Sequence, residues 1–131
     1  MLTTSVSMAP DSPRIVVCSP HRAMSDWLAE ACRHRGYQTL QWEPGAKGLA
    51  WGAAAAIVDV DPLSADPFGP LRTLAEALKP APVIALLEFP RPDECEAARR
   101  QGATALLPSP VLLDDLYREL EAAMAGAMAA I

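Results

Sequence analysis

Residues Ala53–Asp61 read AAAAIVDVD, and their reading decides the fold. Small and β-branched residues run without a polar break as far as Asp59, the pattern of a strand buried on both faces. The run closes on two acids, Asp59 and Asp61, which places carboxylates where a buried strand leaves the core. Working back toward the N-terminus, Arg14–Cys18 (RIVVC) is a second run of the same kind. Ser19-Pro20 follows it and reads as a helix N-cap with proline at the first helical position. Met24, Trp27, Leu28, Ala31 and Cys32 then recur at helical spacing as a core stripe, with Arg33 and Arg35 late in the helix and Gly36 as its stop. Tyr37–Trp42 reads as a shorter strand. Between it and Ala53, Glu43-Pro44-Gly45 and Gly48 leave little room for a helix, so a helix there is expected to be short or missing. Trp42 and Trp51 bracket that gap, as packing over it or as contact residues.

Toward the C-terminus the alternation continues. Leu71, Leu74 and Leu78 give one helical face after the breakers Pro67 and Pro70. Pro82–Leu87 (PVIALL) is another buried strand. Pro92-Asp93-Glu94 opens a helix with acids in its first turn, Arg99 and Arg100 stand in its last, and Gly102 ends it, so the charges match the helix dipole at both ends. Thr104–Leu107 is a short strand, and Leu113, Leu116, Leu120, Met124 and Met128 stripe a final helix. Five strands alternating with four clear helices imply an α/β domain with a parallel sheet covered on both faces.

Composition agrees and removes several function classes. A chain of 131 residues suits one domain. Residues 1–12 are expected to form a loose tail and residues 13–131 the domain; no basic segment followed by an apolar run marks a secretory signal. The longest apolar run, Ala53–Val58, is far short of the roughly 20 residues a membrane span needs. A net charge of −5 argues against nucleic acid or an anionic membrane as partner, because both select a basic surface. Three cysteines, Cys18, Cys32 and Cys95, lack metal-ligand spacing and point to a reduced, cytoplasmic setting. His21 and His34 have no partner at metal spacing, and no G-x-G-x-x-G or Walker sequence occurs, so neither a metal nor a cofactor is expected.

In an open parallel sheet, function lies at the carboxyl ends of the strands, near the topological switch point. Ser19, Pro20 and His21 fall there after strand one, and Asp59 and Asp61 after strand three. Leu87 and Glu88 close strand four, and Ser109-Pro110 close strand five. The ordered set RIVVCSPHRAMSDWLAEACRHRGY, AAAAIVDVDP, PVIALLEF and ARRQGATALLPSPVLLDDL, over residues 14 to 121, resembles a response-regulator receiver domain. That resemblance implies a flavodoxin-like, CheY-like sheet of order 2-1-3-4-5 with helices on both faces. It also implies that Asp59 stands where receivers accept a phosphoryl group, a reaction run by positioning and charge neutralisation around a metal ion.

The positions that serve that reaction depart from the pattern. The acidic pair that helps hold the metal falls on Ser19 and Pro20, the hydroxyl residue on Leu87, and the lysine on Ser109, which precedes Pro110. The sequence therefore reads as a pseudo-receiver: not an enzyme, and a signalling module acting through protein contacts without aspartyl phosphorylation. A working phospho-receiver at Asp59, with Asp61 lending a second carboxylate, is one alternative. Another is a phosphocysteine enzyme of the sugar phosphotransferase type using Cys18, since a helix N-terminus lowers a thiol pKa and cradles phosphate. Against it, the loop Ser19-Pro20-His21-Arg22 has no glycine, Pro20 removes a donor, and the Cys-x5-Arg spacing of low-molecular-weight phosphatases puts Met24 where arginine is required.

The resemblance further implies a partner face built from the family's fourth helix, fifth strand and fifth helix. Here it would include Arg99, Arg100, Leu113, Tyr117, Leu120, Met124 and Met128. The tract AAMAGAMAAI at the end of the last helix is almost wholly apolar and adds a reason to expect a homodimer seam.

Overall fold

The computed structural model describes residues 12–46 and 52–129, with side chains to residue 126. Strands β1 (Arg14–Cys18), β2 (Gln38–Gln41), β3 (Ala55–Asp59), β4 (Val83–Glu88) and β5 (Ala105–Ser109) alternate with helices α1 (Arg22–His34), α2 (Gly69–Ala77), α3 (Pro92–Arg100) and α4 (Leu113–Ala129). All neighbouring strands are parallel, and the order is β2-β1-β3-β4-β5. No helix forms in the described residues between β2 and β3. The expected loose tail, apart from Ser12, lies outside the described residues, as do Gly48 and Trp51 and the side chain of Met128.

The period-2 alternation of a strand divides the core into two halves. Ile15, Val17, Ala55, Ile57, Ile84 and Leu86 face α1 and α4, where Leu28, Cys32, Leu116 and Leu120 meet them. Val16, Cys18, Val58, Ala85 and Leu87 face the other way, against Leu71 and Leu74 of α2 and Ala98 of α3. Each large aliphatic side chain fully buried in this way contributes about 1.5–3 kcal/mol. Trp42 is buried in the second half and does part of the work of the missing helix. Its backbone N–H donates to Val17 O (2.8 Å) and its indole Nε1–H to Ala46 O (3.3 Å), so the chain after β2 folds back over the sheet.

Two expectations are corrected. Trp27 is not part of the α1 core stripe: it is 38% exposed, because a helix turns about 100° per residue and Leu28 already occupies the inward position. Ser19-Pro20 does not cap α1, which begins two residues later with His21 as its N-cap. The Ser19 hydroxyl instead accepts from the His21 N–H (3.1 Å), closing a local turn that holds the chain off the helix.

Gly102 shows why α3 ends where it does. Its φ is +118°, and a Cβ there would run into Ala75 Cβ of the loop-facing side of α2. Ala103 behind it is buried, so the chain turns into β5 through a site with no room for a side chain. Gly102→Ala is expected to destabilise the domain by about 2–4 kcal/mol, from overpacking and backbone strain together, in a urea unfolding titration.

Candidate functional site at the carboxyl end of the sheet

The central strands carry no polar side chain until they leave the core, so their polar chemistry gathers at one rim. The β1–β3 register pairs Cys18 with Val58, which sets Ser19 beside Asp59. The Ser19 hydroxyl donates to Asp59 Oδ2 at 2.7 Å. Asp59 is half-buried, and burial raises its carboxyl pKa above the ordinary 3.8; the charges of Asp61 and Glu88 add to this, while the Ser19 hydrogen bond and His21 oppose it. Asp61 turns away from the strand, and its Oδ1 accepts from the Leu63 N–H (3.0 Å), an Asx turn that starts the loop toward α2.

This end of the sheet has the shape and connectivity of a known fold. A response regulator receiver domain protein (CheY-like) from Methanospirillum hungatei JF-1 superposes with a TM-score of 0.77, covering 92% of this chain and all of that one at 18% identity. The chain has the receiver fold. Chemotaxis protein CheY4 of Vibrio cholerae is similar over 86% of this chain and 98% of its own, with a TM-score of 0.74 and 17% identity. A putative pilus assembly-related protein from Burkholderia pseudomallei covers 86% of this chain and 90% of its own, with a TM-score of 0.69 and 15% identity. At these identities the likeness is one of fold alone. No family model matches the chain, and no curated protein is similar to it in sequence.

The receiver positions named above come together at the rim, with altered chemistry. Ser19 and Pro20 bring no carboxylate to Asp59, and a hydroxyl hydrogen already occupies Asp59 Oδ2. Leu87 is buried among apolar residues. Ser109 lies at the end of β5, two strands from β3 or about 10 Å at ordinary strand spacing, and its buried hydroxyl has no hydrogen-bond partner among the described residues. The Ser109–Pro110 peptide is cis. Among the described residues, no three His, Cys, Asp or Glu side chains are grouped so as to hold a metal ion. A hard divalent cation asks for about six oxygen ligands, and the residues present do not fit one.

Cys18 is 3% exposed, at the end of β1 on the α2–α3 side of the sheet. Burial pushes its thiol up to about 11, with the Asp59 and Glu43 charges adding to the rise. At neutral pH only about one thiol in ten thousand is then ionised, so the environment opposes a nucleophile.

Beside the Ser19–Asp59 pair, next to the connection in which the described residues form no helix, is a polar cavity of about 300 Å³, lined by Ser19, Arg22, Gln41, Trp42 and Glu43 among others. A second, more apolar cavity of about 210 Å³ lies between the ends of β3 and β4 and helices α2 and α3. Val60, Phe68 and Leu87 are among its walls. The sequence reading passed over this feature; its only signal was Leu87 itself, an apolar residue at the end of a strand whose neighbours turn polar.

Phe89, directly after β4, was also overlooked. It is 80% exposed and holds φ +43°, a conformation that costs a bulky L-residue about 1–3 kcal/mol. With so little packing to lose, Phe89→Gly is expected to leave thermal stability unchanged or raise it slightly. Phe89→Val is expected to cost a further 1 kcal/mol or so by the same measurement, since a β-branched residue fits that backbone worst.

The sign of the Asp59 shift gives a second expectation. The folded state binds this proton more tightly than the unfolded chain, so stability falls as pH rises from 3.8 through the higher folded value. Asp59→Asn, which can still accept from Ser19, is expected to melt above the wild type at pH 7. The gap should close as pH drops below 3.8, where both states of the wild type are protonated. Equal melting temperatures at pH 7 would contradict the burial argument.

Proposed function

We propose that this domain is an atypical receiver that acts as a non-enzymatic signalling module through protein contacts, independently of aspartyl phosphorylation. The observation that carries the reading is the Ser19–Asp59 hydrogen bond. A neutral hydroxyl stands where receivers place an acid, so β1 brings no carboxylate that could share a cation with Asp59. Leu87 and Ser109 remove the hydroxyl and the cation that would stabilise transferred phosphoryl oxygens. The phosphocysteine reading is disfavoured by the buried, poorly acidic Cys18. A reduced, cytoplasmic setting belongs to the proposal, because Cys18 and Cys32 are free thiols buried in opposite halves of the core. No helix among the described residues is long and apolar enough to cross a membrane.

The partner face proposed from the receiver resemblance consists here of α3, β5 and α4, because the missing helix shifts the numbering. Arg99 and Arg100 are exposed on α3, Leu113 is 40% exposed, and Met124 is half-buried. Tyr117 and Leu120 must be withdrawn from that face. Leu120 is fully buried in the core, and the Tyr117 hydroxyl donates to Ala31 O (2.8 Å), which clips α4 to α1. A homodimer, if it uses this face, is held by what remains, including a groove of about 400 Å³ lined by Thr104, Ala105, Glu119, Ala122, Ala123 and Gly126 together with Pro80 and Pro82.

Incubating the protein with Mg²⁺ and acetyl phosphate, or with beryllofluoride, tests the main reading. The expected result is no mass adduct and no amide shift at Asp59. A metal-dependent adduct on Asp59 would overturn it, and alkylation of Cys18 in the folded protein at neutral pH on the timescale of a free cysteine would revive the thiol chemistry.

A further inference from the structure

Among the described residues, five large apolar side chains are exposed; three of them lie in the loops that leave the sheet at one edge of the rim, and a fourth, Leu113, opens α4 directly after one of those loops. Leu63 (92% exposed) follows β3, Phe89 (80%) follows β4, and Leu112 (67%) and Leu113 (40%) follow β5. These three strands are consecutive neighbours in the sheet, so their loops emerge side by side, about 5 Å apart at the strand ends. Scattered single apolar residues need no explanation, but a group confined to one rim marks a contact surface. The apolar cavity behind Leu87 opens at the same rim, because Pro62 next to Leu63 and Glu88 next to Phe89 both line it. Its volume of about 210 Å³ is below the range of small-molecule sites and suits one anchoring side chain.

The charge around this surface selects the partner. Glu88, Asp93 and Glu94 border the cavity, and Asp114 and Asp115 follow Leu113. Glu94 is engaged by Arg91 and Asp115 by Arg118, whereas Glu88, Asp93 and Asp114 have no ion-pair partner among the described residues. Phe89 is held at φ +43° while exposed, so its placement serves nothing inside the domain. We infer that the rim formed by the β3–α2, β4–α3 and β5–α4 loops docks a basic amphipathic segment of another protein, with an apolar side chain entering the cavity and Lys or Arg residues meeting Glu88 and Asp93. This surface meets the face proposed for self-association at Leu113 and the first turn of α3 but excludes Arg99, Arg100 and the α4 groove, and it stands whether or not Asp59 accepts a phosphoryl group.

A synthetic amphipathic twelve-residue peptide of Leu, Phe and Lys is titrated into the ¹⁵N-labelled full chain, beside a matched peptide with Glu in place of Lys. Amide shifts are expected to centre on Leu63, Glu88, Phe89 and Asp93, to weaken with salt, and to be at least tenfold weaker for the Glu peptide. The double variant Glu88→Gln/Phe89→Ser, at exposed positions that leave the fold intact by its amide spectrum, is expected to lose at least tenfold in affinity. Glu30→Gln, the same charge change on α1, is expected to lose less than twofold. The inference fails if neither peptide binds, if Glu30→Gln weakens binding as much as the double variant, or if shifts centre on α4. It fails equally if the Phe89 amide moves with protein concentration before any peptide is added, since the occupant is then a second copy of the chain.

Discussion

The three inner strands, β1, β3 and β4, are covered on both faces, and almost everything else about the molecule follows from that constraint. A strand in this position cannot carry a charged side chain without leaving it unpaired in an apolar medium. Polar groups are therefore pushed to the strand ends, and Asp59 is the point on β3 where the rule relaxes. It is only half relieved: the carboxylate still feels enough burial to raise its pKa, and Ser19 supplies a single hydrogen bond rather than a counter-charge. In a receiver carrying an acid pair, a metal ion balances such a concentration of negative charge. Here a hydroxyl donates to one oxygen of the Asp59 carboxylate, while Asp61 and Glu88 add to the negative field around it.

The same constraint bears on the β2–β3 connection, where no helix forms among the described residues. Removing a helix from one face of a parallel sheet would expose Val16 and Cys18, yet both are buried. Trp42 does much of the covering, because a single indole can bury 150–250 Å² and still place its N–H on a backbone carbonyl. The residue that fills the gap comes from the end of β2, adjacent to β1, so the repair is local. A polar hollow bounded by Ser19, Arg22 and Glu43 lies beside the rim at the same place.

How much of this could be read from the sequence depends on the distance over which each signal acts. The strands and helices were legible because burial on both faces leaves continuous apolar runs, and Gly36 and Gly102 mark helix ends through backbone conformations other residues avoid. The β2-β1-β3-β4-β5 order was implied by the resemblance to receivers, which the ordered set carries and no one run does. Trp27 was misplaced because a spacing of three and a spacing of four both fit a short stripe, and only packing against the sheet chooses Leu28. Ser19 was misread for a different reason. Locally, Ser-Pro before an apolar helix is a sound capping signal, but the hydroxyl is claimed by Asp59, 40 residues away, through a register no local pattern contains. Tyr117 and Leu120 were assigned to a surface because the receiver resemblance names the helix of the partner face and not which of its sides meets its own sheet.

Gly102 and Phe89 bring these threads together, since both hold positive φ where the chain leaves an element, α3 and β4 respectively. At Gly102 the backbone turns because Ala75 leaves no space, and the sequence supplies the one residue that turns without strain. At Phe89 no such neighbour forces the matter: the side chain is open to solvent, and glycine would serve the fold as well. Structural need therefore accounts for the first and leaves the second unexplained. The residue just before Phe89 is Glu88, which borders the apolar cavity and adds to the field on Asp59. One strained turn thus links the exposed aromatic ring, an acid and the pocket, at the carboxyl rim of the sheet. Strain kept in place by an exposed aromatic side chain is more simply understood as serving contact than as serving stability.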